Sequence, residues 1–394
     1  RQLDVNLGYR YSSYNTVGSV STYKADVSWE VFDALRLRGG YSRAIRAPNI
    51  GELYGAAGTV GQNLGAVGTI GSGDACDIRG AYRAPGYADA AQVRALCLAQ
   101  GVPAAIIDSY RNLDTLTTTR FSGNPDLSEE TADTYSIGAV LKSPFASPFL
   151  SGISLSVDYY NIKLKGAVGQ ITGQVAMSKC FNADGSNPTY SNTNLYCSLI
   201  TRLAGPGTID VIRTPLLNLG GYKTSGVDFQ ADWTIDWGAL GADRLGKLHL
   251  GTVVNYLDSF RIQNLPGAPF REYGGTILNT QIDPLSTSLP KWKAVSWAQW
   301  TLGDFDLNFR WRHIGAMKNA NNVGTTSTTR GVKAVDYFDL IGTLKVADDF
   351  DFRLGVSNLT NVAAPQVGVV PGDTDANTYD QLGRRFFVGA KARF

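Results

Sequence analysis

The chain has 394 residues, of which 43% are hydrophobic, 18% charged and 11% aromatic. A helical membrane span needs about 20 consecutive apolar residues, and the absence of such a stretch excludes a helical membrane protein. The formal net charge of +2 gives no reason to expect a nucleic acid or a strongly acidic partner.

Apolar and polar residues alternate with a period of two in many short segments, which is typical of β-strands with one apolar face. The clearest run begins at Val227, after which each odd-numbered residue to Trp237 is apolar and each even-numbered residue is polar. Twelve strands are predicted in this way: residues 3–11, 20–32, 34–45, 131–142, 151–165, 221–237, 246–257, 291–302, 304–313, 335–346, 351–359 and 384–394.

The links between these strands alternate between turns of a few residues and longer segments. The long loops are residues 46–130, 166–220, 258–290, 314–334 and 360–383, and they all fall on one side of an antiparallel sheet. The strands of a soluble β-sandwich also alternate apolar and polar residues. A sandwich, however, has no physical reason to place all its long loops on one side. Bacterial outer-membrane barrels have short periplasmic turns and long extracellular loops. We therefore predict an all-β fold, a transmembrane antiparallel β-barrel of about 12 strands in contact with outer-membrane lipid.

Four phrases resemble those of TonB-dependent outer-membrane receptors. The segment Arg46–Tyr54 reads R-A-P-N-I-G-E-L-Y, and Gly123–Thr131 reads G-N-P-D-L-S-E-E-T. The other two are Thr224–Phe229, T-S-G-V-D-F, and Val356–Asn361, V-S-N-L-T-N. Their order and spacing extend over nearly the whole chain, and each phrase lies at the start or end of a predicted strand.

The resemblance implies a 22-stranded barrel around a globular plug. Residues 1–394 would then be the C-terminal portion of the barrel, and the plug and the remaining strands would come from an N-terminal part or from another chain. The TonB complex would act through that other part. The implied function is TonB-dependent import of a scarce nutrient, such as a siderophore or carbohydrate, captured by extracellular loops. No cofactor and no enzymatic activity are implied.

Two alternatives remain at this stage. Twelve strands could close on themselves as a passive pore. A barrel-embedded hydrolase would need a Ser–His pair, but no nucleophile motif lies near His249 or His313. The periodicity predicts that His249 faces the lumen.

The four cysteines are predicted to form two local disulfides, Cys76–Cys97 and Cys180–Cys197. Both pairs lie in long loops, and neither has CxxC spacing or a neighbouring histidine, so metal binding is disfavoured and an oxidising compartment is indicated. A helix is predicted around Asp89 to Gln100, with Cys97 on its packed face.

Aromatic, amide and guanidinium groups in the loops suit sugars, peptides and ferric siderophores. The candidate ligand-binding residues are Arg46, Asn49, Tyr54, Tyr110, Tyr190, Tyr196 and Tyr273. In the last long loop, Asp373, Asp375 and Asn377 resemble the start of a calcium loop. Because Thr378 and Arg384 occupy the positions where Gly and Glu are expected, we favour a solvated acidic loop and predict no metal site.

Overall fold

The computed structural model describes residues 2–114, 116–266, 268–277, 288–324, 329–347, 349–367 and 374–392. It confirms the twelve strands in one antiparallel sheet, in which each strand pairs with its sequence neighbours. The strands are β1 (Leu3–Tyr14), β2 (Gly18–Phe32), β3 (Leu35–Arg46), β4 (Glu130–Lys142), β5 (Ile153–Lys165), β6 (Gly221–Asp236), β7 (Lys247–Gln263), β8 (Trp292–Leu302), β9 (Phe305–Ile314), β10 (Val335–Ala347), β11 (Phe350–Ser357) and β12 (Arg385–Ala392).

Strand β7 is longer than the sequence predicts, because it continues to Gln263 and pairs there with the short strand Arg271–Glu272. The third long loop therefore does not begin at residue 258. The reason is a β-bulge: Ser225 pairs with Ser259 but Gly226 pairs with Leu257, which leaves Asp258 as an extra residue. An extra residue shifts the side-chain alternation by one, so the period-two pattern stops at the bulge although the strand continues.

One face of the sheet is apolar and has no second protein layer over it within the described residues. Phe309 in β9 remains 39% exposed and Val388 in β12 remains 78% exposed. A soluble sandwich would bury these side chains against another sheet. In a membrane barrel the same side chains contact lipid, and their exposure in the protein alone is the expected result.

Aromatic side chains lie near both ends of the apolar face. Toward the turns, the Trp233 indole contacts Phe149 edge-on and donates a hydrogen bond to the Phe149 carbonyl oxygen at 2.8 Å. Toward the loops, the rings of Tyr41 and Tyr135 lie 4.7 Å apart, and those of Tyr256 and Trp292 lie 4.5 Å apart. These are the two aromatic girdles of a membrane barrel, since rings with a polar edge favour the headgroup level.

The helices are all short and lie in loops or turns. They are α1 (Ile50–Tyr54), α2 (Ala90–Ala99), α3 (Gly173–Cys180) and α4 (Leu195–Ser198), with 3-10 turns at Ala81–Arg83, Gly238–Leu240, Asp243–Leu245 and Ala320–Asn322. Of the helices in the described part of the chain, none is long and apolar enough to cross a membrane.

The sheet has two open edges within the described residues, because β1 pairs with β2 alone and β12 pairs with β11 alone. Along β1, Leu7 and Tyr9 remain 74% and 70% exposed. Backbone N–H and C=O groups without partners cost several kcal/mol each in hydrocarbon. Both edges therefore need partner strands in the membrane.

The two faces of β6 give a direct test of this arrangement. Phe229 lies on the apolar face halfway along the strand, and its neighbour Gln230 lies on the polar face. We expect Phe229→Arg to lower the free energy of unfolding by about 2–4 kcal/mol in bilayers, because Arg there meets the hydrocarbon midplane. Gln230→Arg is the matched control and is expected to change it little. Urea titrations of the full-length protein in phosphatidylcholine bilayers measure both, and equal effects would contradict the assignment of the faces.

Candidate functional site on the loop side of the sheet

The two longest loops, residues 47–129 and 166–220, fold together into one body, here called the loop module. Its core joins Tyr82 and Leu96 of the first loop to Phe181 and Ile212 of the second. A small sheet also crosses between the loops, because Ile209–Asn218 pairs in parallel with Thr117–Ser122. The other strands of this sheet are Gly58–Gln62, Val168–Gln170 and Ile200–Arg202. The two loops are therefore one rigid unit above the sheet.

A buried ion pair joins the loops inside this core. Arg202 Nη2 and Nη1 donate hydrogen bonds to Asp74 Oδ1 and Oδ2 at 2.7 and 2.8 Å, and both side chains are fully buried. The Tyr110 hydroxyl donates to Asp74 Oδ2 at 2.9 Å. Burial by itself raises the pKa of Asp74, but the charge and hydrogen bonds of Arg202 outweigh it and hold the pKa below its ordinary value.

Both disulfides are present in the loop module with the predicted pairing. Cys76–Cys97 ties α2 to the segment after Asp74, and Cys180–Cys197 ties α3 to α4. The buried face of α2 consists of Val93, Leu96 and Cys97, and Cys97 lies on it as the sequence predicts. The disulfides therefore fix the two longer helices of the module to neighbouring segments.

The motif residues at Arg46–Tyr54 form the base of the first loop. Arg46 at the end of β3 donates to Glu130 at 2.6 Å and to Glu52 at 2.9 Å. Asn49 and Glu52 form a reciprocal capping box at the start of α1. The carbonyl oxygen of Glu52 accepts from the backbone N–H of Asn124 at 2.8 Å, which joins this motif to the G-N-P motif. Arg46 and Asn49 thus hold the loop on the sheet.

A glycine is required where the two motifs meet. A Cβ at Gly123 would lie 2.5 Å from the backbone nitrogen of Gly55 and 2.9 Å from the backbone of Leu53. The backbone N–H of Gly123 donates to the Gly55 carbonyl oxygen at 3.1 Å. The small residue lets the two ends of the loop approach each other.

The five candidate tyrosines lie in three different surroundings. Tyr110 and Tyr273 are 3% and 5% exposed and belong to the cores of separate loop clusters. Tyr190 donates to Asp89 at 3.0 Å, and the Tyr196 ring lies 5.5 Å from Lys179 Nζ; both rings pack partly against the loop-module core. Tyr54 on α1 is 64% exposed. A role of these residues in ligand contact stays a prediction, and Tyr54 has the most accessible ring.

Of the residues that resemble a calcium loop, Asp373 lies outside the described residues. The Asp375 side chain is buried and accepts hydrogen bonds from the Ser288 hydroxyl and from the backbone N–H of Asn377. In the stretches that the structure covers, His, Cys, Asp and Glu form no group of three or more that could hold a metal ion.

The polar face of the sheet is concave and carries many charged side chains. A depression of about 640 Å³ is lined by Asp306, Arg310, Arg353 and Lys391 among other residues. A second depression, of about 370 Å³, is lined by residues that include Arg36, Arg38 and Asp158. Arg38 Nε donates to Asp158 at 2.6 Å. The face below the loops is therefore a wide polar surface.

The two histidines have carboxylate partners. His249 on the polar face lies 3.3 Å from Asp232, and His313 Nδ1 on the apolar face lies 2.8 Å from Asp336 Oδ1. The Trp311 indole also donates to Asp336, at 2.7 Å. Each histidine thus belongs to a pair that stabilises the sheet surface.

The Asp74–Arg202 pair was not anticipated from the sequence, since an isolated Asp and a distant Arg in loops carry no periodic signal. We expect Asp74→Asn to destabilise the loop module by about 3–5 kcal/mol, because it leaves the Arg202 charge buried without its partner. Asp210→Asn is the matched control, since Asp210 is an exposed residue of the same loop module. Limited proteolysis of residues 166–220 measures the effect, and equal cleavage of the two variants would contradict the assignment.

The same pair predicts a pH dependence of the loops. The folded-state pKa of Asp74 is below its ordinary value of 3.8, so the stabilisation is fully present above pH 3.8. It is lost as the pH falls through the lower folded-state value. Pepsin cleavage of the loop module, relative to cleavage of an unfolded reference chain at the same pH, should therefore rise only below pH 3.8 in the natural protein. A relative increase that already begins near about pH 5 would count against this origin.

Removing the Cys76–Cys97 disulfide should loosen the loop module without unfolding the sheet. The bond closes a loop of 21 residues, and the double substitution Cys76→Ser, Cys97→Ser is expected to cost about 3 kcal/mol of module stability. Hydrogen exchange of the loop amides measures this loss, while exchange in β4 to β7 serves as the internal control. Unchanged exchange in the loops would show that the core alone holds them.

Comparison with known proteins shows which family and which solved structures this architecture resembles. The model of the family described as TonB dependent receptor-like, beta-barrel matches residues 2–359. Among solved structures, a mutant of the ferric enterobactin receptor PfeA from Pseudomonas aeruginosa aligns with 100% of this chain and 43% of its own, at 14% identity and a TM-score of 0.60. The siderophore receptor PirA from Acinetobacter baumannii aligns with 100% of this chain and 43% of its own, at 15% identity and a TM-score of 0.56.

At these identities the structural likeness shows a shared fold, and this chain spans less than half the length of either receptor. No match was found among curated proteins. The family consists of outer-membrane transport proteins and not of enzymes. The family match over most of the chain, the lipid-facing sheet and the polar concave face lead to one conclusion: this chain belongs to the TonB-dependent receptor family and forms part of its outer-membrane β-barrel.

Proposed function

We propose that the protein containing this chain imports a scarce nutrient across the bacterial outer membrane in a TonB-dependent manner. In this proposal the loop side faces the outside of the cell, and the loops capture the ligand. The observation that carries the proposal is the loop module, in which two long loops share a core, a buried ion pair and two disulfides.

A prefolded loop surface suits ligand capture for an energetic reason. Flexible loops lose conformational freedom when they bind, and that loss reduces affinity. Here the loops are ordered by their own core before any ligand arrives. A passive pore has no comparable need for such a module, because solutes diffuse through it without being held.

The open edges of the sheet also disfavour a passive pore made of these strands alone. A closed twelve-stranded pore requires β1 to pair with β12, whereas each has one partner strand among the described residues. We infer that further strands complete the barrel and that a plug lies against the polar concave face. TonB would act on the plug, which releases the ligand into the lumen.

For the ligand, we propose an organic nutrient with hydrogen-bonding groups, such as a siderophore, an oligosaccharide or a peptide. Tyr54 is exposed near the base of the loop module, where an aromatic ring can stack on a sugar or a catechol. The two solved structures compared above are a ferric enterobactin receptor and a siderophore receptor by their titles, and another structure of the former is in complex with enterobactin. Their low identity supports a shared architecture more than a shared ligand.

Two measurements on the full-length natural protein test the proposal without knowledge of the ligand. In planar bilayers with potassium chloride, we expect no steady conductance, because a plug closes the lumen. The purified periplasmic domain of TonB is expected to retain the protein on a column. A stable open-pore conductance together with no retention by TonB would show a passive pore and overturn the proposal.

A further inference from the structure

Among the strand residues that the structure describes, the apolar face carries charged side chains only near its loop-side rim. The register of the sheet shows which residues share this face with Tyr159 and Phe229. Among the described strand residues on it, the charged side chains are Arg43, Asp133, Lys163, Lys165, Lys223, Arg261, Glu272 and Asp336. The five cations lie on β3, β5, β6 and β7, which form one continuous part of the rim with β4. We call these five residues the basic rim.

The rim residues form a row across five neighbouring strands. Arg43 pairs in register with Asp133, and Asp133 with Lys163. Lys163 pairs with Lys223, and Lys223 with Arg261. Arg261 pairs in turn with Glu272 of the short strand that follows β7. The row therefore reads cation, anion, three consecutive cations and anion, and Lys165 stands two residues farther along β5.

The carboxylates near this row are already engaged. Asp133 accepts two hydrogen bonds from Arg43 at 2.8 and 3.0 Å. Glu272 lies 3.3 Å from Arg261, and the carboxylate of the bulged residue Asp258 accepts from the Ser225 hydroxyl at 3.0 Å. In the described part of the chain, Lys163 and Lys165 form no ion pair, and the Lys223 ammonium lies over the Phe270 ring at 3.7 Å.

The central pair of this row is unfavourable by itself. Lys163 and Lys223 stand directly opposite each other on adjacent strands, which lie about 4.8 Å apart. Like charges at directly opposite positions destabilise a sheet. The arrangement becomes favourable when an anion lies between the two ammonium groups.

The position of the row along the membrane normal indicates which anions lie beside it. Lys163 lies ten residues beyond Ile153 on β5, roughly 33 Å along the strand. For a strand tilted by about 40° this is roughly 25 Å across the membrane, the height of the apolar band of a barrel. The Tyr41 and Tyr135 rings of the loop-side girdle lie one row below. The ammonium groups therefore stand at the level of lipid headgroups and face away from the lumen.

We propose that the basic rim binds the phosphate groups of a lipid headgroup in the leaflet on the loop side of the outer membrane. Phosphate suits the site because ammonium and guanidinium groups hold its oxygens with charge-assisted hydrogen bonds. Elsewhere on the loop-side rim of the described strands the polar side chains on this face include tyrosines, serines, Trp292 and the His313–Asp336 pair, and none of them is a Lys or an Arg. The site is thus a local one, and it faces one sector of the surrounding lipid.

The first test measures binding of diphosphorylated lipid A to the full-length protein by native mass spectrometry in a neutral detergent. The variant carries Lys163→Gln, Lys165→Gln and Lys223→Gln. Its affinity is expected to fall roughly 30-fold or more, since each basic residue near an anionic lipid surface contributes independently. The matched control removes three lysines of the polar face, by Lys24→Gln, Lys247→Gln and Lys345→Gln, and should bind as the natural protein does.

Further measurements in the same experiment test whether the phosphate groups of the lipid are what the rim binds. A Lys→Arg variant at the three rim positions should keep both the fold and the binding, and fully dephosphorylated lipid A should not bind. The proposal is overturned if the rim variant binds within twofold of the natural protein, or if the dephosphorylated lipid binds equally well. It is also overturned if about 10 mM inorganic phosphate displaces the lipid, because the site would then be one for small anions.

A second test uses the repulsion between the opposed lysines. In bilayers of phosphatidylcholine alone, Lys163→Gln should raise the urea concentration at the midpoint of unfolding, because it removes a like-charge contact. In bilayers that also contain diphosphorylated lipid A, the same substitution should lower the midpoint. A change of the same sign in both bilayers would show that the lipid does not bridge the pair and would overturn the proposal.

Discussion

The structure depends on the need to satisfy backbone hydrogen bonds inside hydrocarbon, where no water can do so. Twelve strands meet this need by pairing with their sequence neighbours, in a register that holds without interruption from β3 to β6. The alternation of the side chains follows from the same pairing, since one face then meets lipid and the other a polar lumen. Among the described strands, the outer edges of β1 and β12 are where backbone N–H and C=O groups have no partner strand.

Outside the membrane water can satisfy the backbone hydrogen bonds, and the loops are instead limited by the entropy lost when they fold. A short polypeptide in water must build a core large enough to offset its conformational entropy. The two longest loops do so by sharing one core, and a parallel strand pair and the Asp74–Arg202 ion pair connect them. Each of the two loops is also closed by one disulfide of its own. The result is a folded body whose buried core contains no residue of the membrane-spanning strands.

The motif phrases belong to the junction between these two environments. Arg46, Glu52 and Glu130 form ion pairs at the point where β3 and β4 leave the membrane level. At the other end of the sheet, Asn358 follows β11 with a positive φ of 55°, and its side chain exchanges hydrogen bonds with the backbone of Val362. Its backbone N–H donates to Asp339, a fully buried carboxylate that Arg310 and Arg312 also contact. The motif residues therefore direct the chain from strand to loop, and their hydrogen bonds set how the loops stand on the barrel.

Local patterns in the sequence determined the strand order, the apolar face, both disulfides and the buried face of α2. These features are local because the pleat of a strand and the turn of a helix impose short periods on neighbouring residues. Long-range packing decided the rest: the bulge at Asp258, the burial of Tyr110 and Tyr273, and the contact of Asp74 with Arg202. Lys163 and Lys165 share the parity of Tyr159, a signal that is visible in the sequence. That Lys223 stands opposite Lys163 is a matter of register between strands more than fifty residues apart, and only the folded sheet brings those two charges together.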